Sequence, residues 1–244
     1  MAAGFLTRLP MPALRRDDVP TLAAGFWAFP LVGAVVGLIG AATALVAMWL
    51  GATAATASIL ALAAMVGITG CLHEDGLADL ADGIGGGDTA ARRLEIMRDS
   101  RIGTFGVLAL VLALGLAGAS LAAISEAASA AQLTAVLVVS AAIARSVLWI
   151  PLVALEPARA DGTGRLLQRP TLPVLLVGAT LPAAFGPIVL GATGLAAVVG
   201  ATLAAAAVTL MAERYLGGAT GDVYGATVVA SFTTALVFAG AVLS

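Results

Sequence analysis

The run His73-Glu74-Asp75-Gly76-Leu77-Ala78-Asp79-Leu80-Ala81-Asp82-Gly83 interrupts a chain of 244 residues that is otherwise almost all hydrocarbon. Residues 73 to 103 hold 11 of the 26 charged side chains and the only histidine, so the polar chemistry is concentrated rather than spread. On an α-helix, Asp75, Asp79 and Asp82 follow i, i+4, i+7 spacing and project within an arc of roughly 60°. Three carboxylates that close repel one another and call for a cation between them, and a hard, oxygen-seeking ion such as Mg²⁺ suits them. A solvated helix at a membrane surface would also carry acids. The metal reading is favoured because the three share one face while Leu77, Ala78, Leu80 and Ala81 occupy others. His73 is a poor Mg²⁺ ligand and reads either as a general base or as a hydrogen-bonding residue at the helix start.

Hydrophobic residues make up 61% of the chain and charged ones 11%, against about 25% charged in soluble domains. The chain is therefore read as an all-α, polytopic transmembrane bundle, a single integral membrane domain over residues 1–244. Apolar runs near 27–50, 54–72, 104–125, 129–155, 171–190, 191–212 and 225–244 predict about seven spans. Pro182, Gly186 and Pro187 blur the division between the fifth and sixth. The acidic run is expected to prolong the second span as one helix to about Asp82, with Gly83, Gly85, Gly86 and Gly87 ending it. Asp88 or Thr89 then caps a short amphipathic helix through Asp99, and Gly103 opens the third span. The N-terminal segment, broken by Pro10, Pro12 and Pro20, is expected along the membrane surface with no cleaved signal peptide.

Charge supports this count. The N-terminal segment, 73–103, 156–170 and 213–224 carry 11 of the 12 arginines and 13 of the 14 acids, and the other connections carry only Glu126. Alternate connections thus differ in polarity, as expected of connections that lie on opposite sides of the bilayer. The positive-inside tendency puts the charged side and the N-terminus in the cytoplasm and the C-terminus in the periplasm of a prokaryotic inner membrane. An enzyme acting at the cytoplasmic rim on charged cytosolic substrates fits that arrangement. The lone Cys71 forms no internal disulfide.

Arg92, Arg93, Arg98 and Arg101 fall within ten residues of one another. They read either as positive-inside anchors or as a phosphate clamp, since a guanidinium matches two phosphate oxygens at once. Arg145 lies about 15 Å inside the fourth span at helical rise and is expected to pair with an acid of the cluster or with a substrate phosphate. In Gly217-Gly218-Ala219-Thr220-Gly221-Asp222 the glycines let backbone N–H groups converge on an anion, and Asp222 is placed to complete a metal shell. Glu156 to Pro170 is a second polar loop, either a cover for the site or a plain connection.

These blocks resemble the cobalamin synthase family, the adenosylcobinamide-GDP ribazoletransferases. The similarity runs through Phe5-Leu6-Thr7-Arg8-Leu9-Pro10-Met11-Pro12, the element at 73–83, Ile96-Met97-Arg98-Asp99-Ser100-Arg101-Ile102-Gly103-Thr104-Phe105-Gly106, and Gly217 to Ala226. One departure is Val229, where many members carry Glu. The resemblance implies transfer of α-ribazole, or its 5'-phosphate, to adenosylcobinamide-GDP with release of GMP, dependent on Mg²⁺. In that reading Asp75, Asp79, Asp82, Asp99 and Asp222 hold the metal, and His73, Asp75 or Asp82 takes the proton of the attacking hydroxyl. Arg98, Arg101, Arg145, Gly218, Thr220 and Gly221 bind the substrate. Asp79-x-x-Asp82-Gly83 also echoes the CDP-alcohol phosphotransferases, the main alternative, while a membrane transporter would need acids or broken helices near mid-membrane. The expected partners are these substrates and the lipid bilayer, with no nucleic acid. A homo-oligomer is compatible with the sequence.

Overall fold

The computed structural model describes residues 2–7, 22–159 and 169–243, so the expectations for residues 8–21 and for most of the 156–170 loop lie outside the described residues. After a short helix α1 (Ala2–Leu6) and a 3-10 turn at Leu22–Ala28, the chain forms α2 (Phe29–Trp49), α3 (Ala54–Thr69), α4 (Leu72–Gly86), α5 (Ala90–Ile96) and α6 (Thr104–Ala127). It continues as α7 (Ala130–Ser146), α8 (Trp149–Ala154), α9 (Leu172–Leu190), α10 (Ala192–Leu216) and α11 (Gly221–Leu243). Among the described residues, six stretches are long and apolar enough to cross a membrane, and the bent pair α3 and α4 brings the number to as many as seven. The chain is an all-α, multi-pass membrane protein.

The predicted boundaries largely hold where the sequence supplies a cap. Thr53 accepts from Thr56 N to start α3, and Ser129 with Gln132 makes a reciprocal capping box at α7. Thr89 caps α5, which ends at Ile96 rather than reaching Asp99. The fifth and sixth runs divide at Gly191, whose φ of +57° suits glycine, and Pro182 and Pro187 both sit inside α9. Proline lacks an N–H, so Pro182 leaves the carbonyl of Gly178, four residues earlier, without its helical donor. Ser146 of α7 fills that place, its hydroxyl donating to Gly178 O at 2.7 Å. The proline therefore costs the helix less than it would alone and fastens α9 to α7.

The acidic run does not extend the second span. α3 stops at Gly70, where Gly70 N donates to Gly67 O and Cys71 N to Val66 O, both at 3.1 Å, the paired bonds of a left-handed helix stop. Gly70 (φ +63°) and Cys71 (φ +59°) are both left-handed, and α4 leaves at 91° to α3. Helix α4 then passes through Gly83 and Gly85 to Gly86, four residues beyond the expected end at Asp82. It runs across one end of the bundle, packed on the first turns of α6 and α11. This is the polar end, where α5, the close of α10 and residues 155–159 also gather.

Close helix approach depends on glycine. A Cβ at Gly33 of α2 would overlap the carbonyl of Ala141 on α7, and one at Gly76 of α4 would crowd the Asp222 backbone at 2.8 Å. Gly115 of α6, by contrast, has nothing within 4 Å of such an atom. Gly33→Ala should therefore force α2 from α7 and destabilise the protein by about 2 kcal/mol, whereas Gly115→Ala should be neutral or stabilising by up to ~1 kcal/mol. Thermal unfolding of both variants in one detergent measures the contrast, and equal effects would refute the packing account.

Candidate active site

The acids of α4 divide between two openings on the polar end. Asp82, one turn before the helix ends, is 8% exposed. Its Oδ2 accepts from Gly103 N at 2.7 Å and its Oδ1 from Gly106 N at 2.8 Å. It therefore supplies the acceptor that the first turn of α6 lacks, a cap from another helix. Gly103 and Gly106 let the carboxylate in, since a Cβ on either would strike it. Asp82 with Arg98, Asp99 and Arg101 lines a cleft of about 490 Å³ between α4, α5 and the start of α6. In that cleft Arg101 grips Asp99, with Nη2 on Oδ2 at 2.7 Å and Nε on Oδ1 at 3.0 Å. Hydrogen bonds from Arg101 hold the Asp99 carboxyl near a pKa of about 2.

Two turns back, Asp75 is exposed and faces a smaller cavity of about 110 Å³ with Asp222 of α11, His73 and Tyr224, walled by Phe29, Leu148 and other apolar side chains. Asp79 lies between the two openings, one turn from Asp75 and one turn from Asp82. Its pKa is pushed up to about 7, first by burial, then by the charges of Asp222, Asp75 and Asp82, against an opposing pull from Arg159. The charges of three acids from two helices thus act on Asp79. They do not close into a cage: among the described residues, no three His, Cys, Asp or Glu side chains stand together as a complete metal shell. The expected convergence of Asp75, Asp79 and Asp82 on one metal-sized space, with Asp222 or Asp99 approaching, is not seen: Asp82 is turned toward the α6 backbone and Asp99 toward Arg101.

The four clustered arginines separate in role. Arg92 pairs with exposed Glu95 at 2.7 Å. Arg93 is structural: its Nε donates to Gly87 O at 3.0 Å, its Nη1 to Tyr215 O at 3.1 Å, and its guanidinium stacks over the Tyr215 ring. Arg98 and Arg101 line the cleft, as do Arg92 and its partner Glu95. Arg145 is held apart from them, buried beside a small chamber under α4 that His73 and Glu74 also line.

The glycine-rich block after α10 has a local explanation. Gly217, at φ +75°, ends α10. Gly218 lies so near Glu156 and Ala158 that no Cβ would fit. There Ala219 N donates to Glu156 O at 2.8 Å and Ala158 N to Ala219 O at 2.9 Å, a two-bond parallel bridge between distant loops. Thr220 accepts from Val223 N at 3.3 Å and donates to Asp222 Oδ2 at 3.1 Å, so it starts α11 and aims the acid; Gly221 is the first residue of that helix. The bridge also brings in Arg159, whose Nη2 donates to Leu94 O at 2.7 Å and whose charge acts on Asp79. Arg159 was missed in the sequence because nothing local distinguishes it from the other loop arginines.

Comparison with known proteins agrees with this picture. A family model described as Cobalamin-5-phosphate synthase matches residues 1–240. The adenosylcobinamide-GDP ribazoletransferase of Xanthobacter autotrophicus is 43% identical over 239 residues, covering 93% of this chain and 89% of that protein. The protein of the same description from Mesorhizobium japonicum is 42% identical over 241 residues, covering 98% of this chain and 91% of its own. No solved structure matches the chain. With its helical architecture, its polar end and a match that runs almost from end to end, the chain belongs to the cobalamin-5-phosphate synthase family of membrane transferases.

Proposed function

We propose that the chain joins α-ribazole, or α-ribazole 5'-phosphate, to adenosylcobinamide-GDP and releases GMP. The observation that carries this reading is the juxtaposition at one end of the bundle: an acid-lined cavity and an arginine-lined cleft, with Asp79 between them. Arg98 and Arg101 bind the diphosphate in the cleft and stabilise the charge that grows on the leaving GMP. The ribazole 3'-hydroxyl attacks the phosphorus attached to cobinamide. The new O–P bond forms as the bond from that phosphorus to the bridging oxygen breaks, and GMP departs with that oxygen. Asp79, near half protonation at neutral pH, takes the hydroxyl proton, because a base with a pKa near the working pH transfers protons best.

The donor set fits Mg²⁺. Every candidate is a hard carboxylate oxygen, and Mg²⁺ takes one or two carboxylates, leaving its other positions to water and phosphate, so a complete protein cage is not needed. Asp75 and Asp222 would hold it, beside Asp79. When bound, the ion neutralises charge on the diphosphate and the leaving group.

Asp79 provides a test independent of turnover. Its folded pKa of about 7 exceeds the ordinary 3.8, so the stability associated with its neutral form is fully present below 3.8 and is lost as pH rises to about 7. Asp79→Asn should therefore raise the unfolding temperature relative to the parent above neutral pH and lose that advantage in acid. Added Mg²⁺ should raise the parent's unfolding temperature above neutral pH and the variant's by less. An Mg²⁺ response equal in both proteins would remove the metal from this cluster.

Activity is read as Mg²⁺-dependent GMP release from adenosylcobinamide-GDP on adding α-ribazole to purified protein in lipid. Asp75→Asn should lose roughly a hundredfold or more, equivalent to several kcal/mol of transition-state stabilisation. Arg169→Gln, which breaks only the exposed pair with Glu156, should stay within a few fold. Release of CMP from a CDP-alcohol instead would establish the alternative chemistry. The polar end faces the cytoplasm in this reading. In a Cys71→Gly background, a thiol-reactive reagent that cannot cross the membrane should label intact cells at a cysteine near residue 244 and not at one in residues 85–88.

A further inference from the structure

Arg145 has no place in the transfer chemistry as described, and its surroundings are unusual for a cation. It is 4% exposed and sits on α7, the most enclosed of the spans. Its Nη1 donates to Ala141 O on its own helix at 3.0 Å, and its Nε has no partner. A guanidinium in hydrocarbon is retained where something compensates it. The chamber it borders has room for about 40 Å³ and is otherwise walled mainly by side chains such as Val36, Met65 and Phe232. From the first turn of α4, Glu74 and His73 face the same space, and Glu74 Oε2 and His73 Nε2 are likewise buried without partners. Among the described lining residues, Glu74 is the only acid and Arg145 the only strong base.

Three unpartnered polar atoms of complementary character thus border one chamber. The charges of Glu74 and Arg145 act on each other, although no direct salt bridge joins them among the described residues. A single water needs roughly 10–15 Å³ of such space and two to four polar partners, so the chamber has room for about three waters and supplies polar atoms to bind them.

We propose that Glu74 and Arg145 form a water-bridged ion pair inside the bundle, with His73 Nε2 as its third partner, and that this network fixes the first turn of α4. Glu74 is then a positioning residue: it touches no substrate, but it sets where the adjacent Asp75, and Asp79 one turn on, stand at the polar end. The left-handed step at Cys71 ends the helical bonding of α3, so α4 takes its direction from tertiary contacts, Asp82 at its far end and this network at its start. The proposal rests on the transferase reading for its functional half alone.

The test is a double-mutant cycle on the full protein in lipid, reading unfolding temperature and the kcat and KM of GMP release. Removing one partner leaves an uncompensated buried charge, whereas removing both does not. Glu74→Gln and Arg145→Gln should each lower the unfolding temperature and reduce kcat by roughly tenfold or more, with KM for adenosylcobinamide-GDP held within about threefold because the cleft arginines are untouched. The double variant should recover the unfolding temperature and return kcat to within about threefold of the parent. If a single variant fails to fold, recovery of a folded, active double variant gives the same support. A double variant that does not fold, or that works no better than the worse single, overturns the pair, as does an Arg145→Gln protein with unchanged stability. Should the parent release no GMP, the transferase reading fails, and the unfolding temperatures still decide the pair.

Discussion

The carboxylate of Asp82 accepts two backbone N–H groups, from Gly103 and Gly106, and through them joins the two halves of the polar end. The first turn of any helix leaves N–H groups without intrahelical partners, and the positive end of the dipole favours a carboxylate there. Supplying that acceptor from α4 fixes the transverse helix to the start of α6. The residues between them, α5 and the loop with Arg98 and Arg101, must then close into a rim of fixed circumference. The cleft exists because its two ends are tied. The same tie explains why Asp82 is unlike its neighbours on the acidic face: its oxygens are engaged by protein donors, while Asp75 is exposed and Asp79 half-buried.

Much of this was legible in the chain. Hydropathy gave the spans to within a few residues, because the six long helices are apolar on nearly every side and no periodicity was needed to find them. Segregation of charge gave the polar end, and Thr89 and Ser129 gave helix starts by their hydroxyls. The direction of α4 was not legible. Gly70 suggested a stop, but the following Cys71 adopts a left-handed conformation that a residue with a Cβ rarely takes, and residue type alone does not announce it. Continuing the helix through that point placed the acids on the right face of a wrongly oriented rod.

The candidate site divides along the same line. The spacing of Asp75, Asp79 and Asp82 was sufficient to put them on one face, since helical periodicity is local. Which of them would be engaged by Gly103 and Gly106, and that Arg93 would be spent on Tyr215, depends on contacts across 21 to 122 residues that no window reveals. Arg159 is the clearest case. It reaches the acids because a two-bond bridge joins residues 156–158 to Ala219, and Gly218, read in the sequence as an anion cradle, is the small residue that lets those strands meet. A glycine required for backbone approach and a glycine required for ligand approach look identical in one sequence.

The early stop of α3 has a further consequence, for the lipid. Its 16 residues reach about 24 Å, short of a hydrocarbon layer of about 30 Å, and Ile59 and Leu60 face outward from it. The neighbouring spans have 19 residues or more. Lipid tails beside α3 therefore meet a shorter wall than elsewhere around the molecule, and the bilayer accommodates by drawing its headgroups inward on that flank. The annulus becomes lopsided, with its low edge adjacent to the turn where α4 departs.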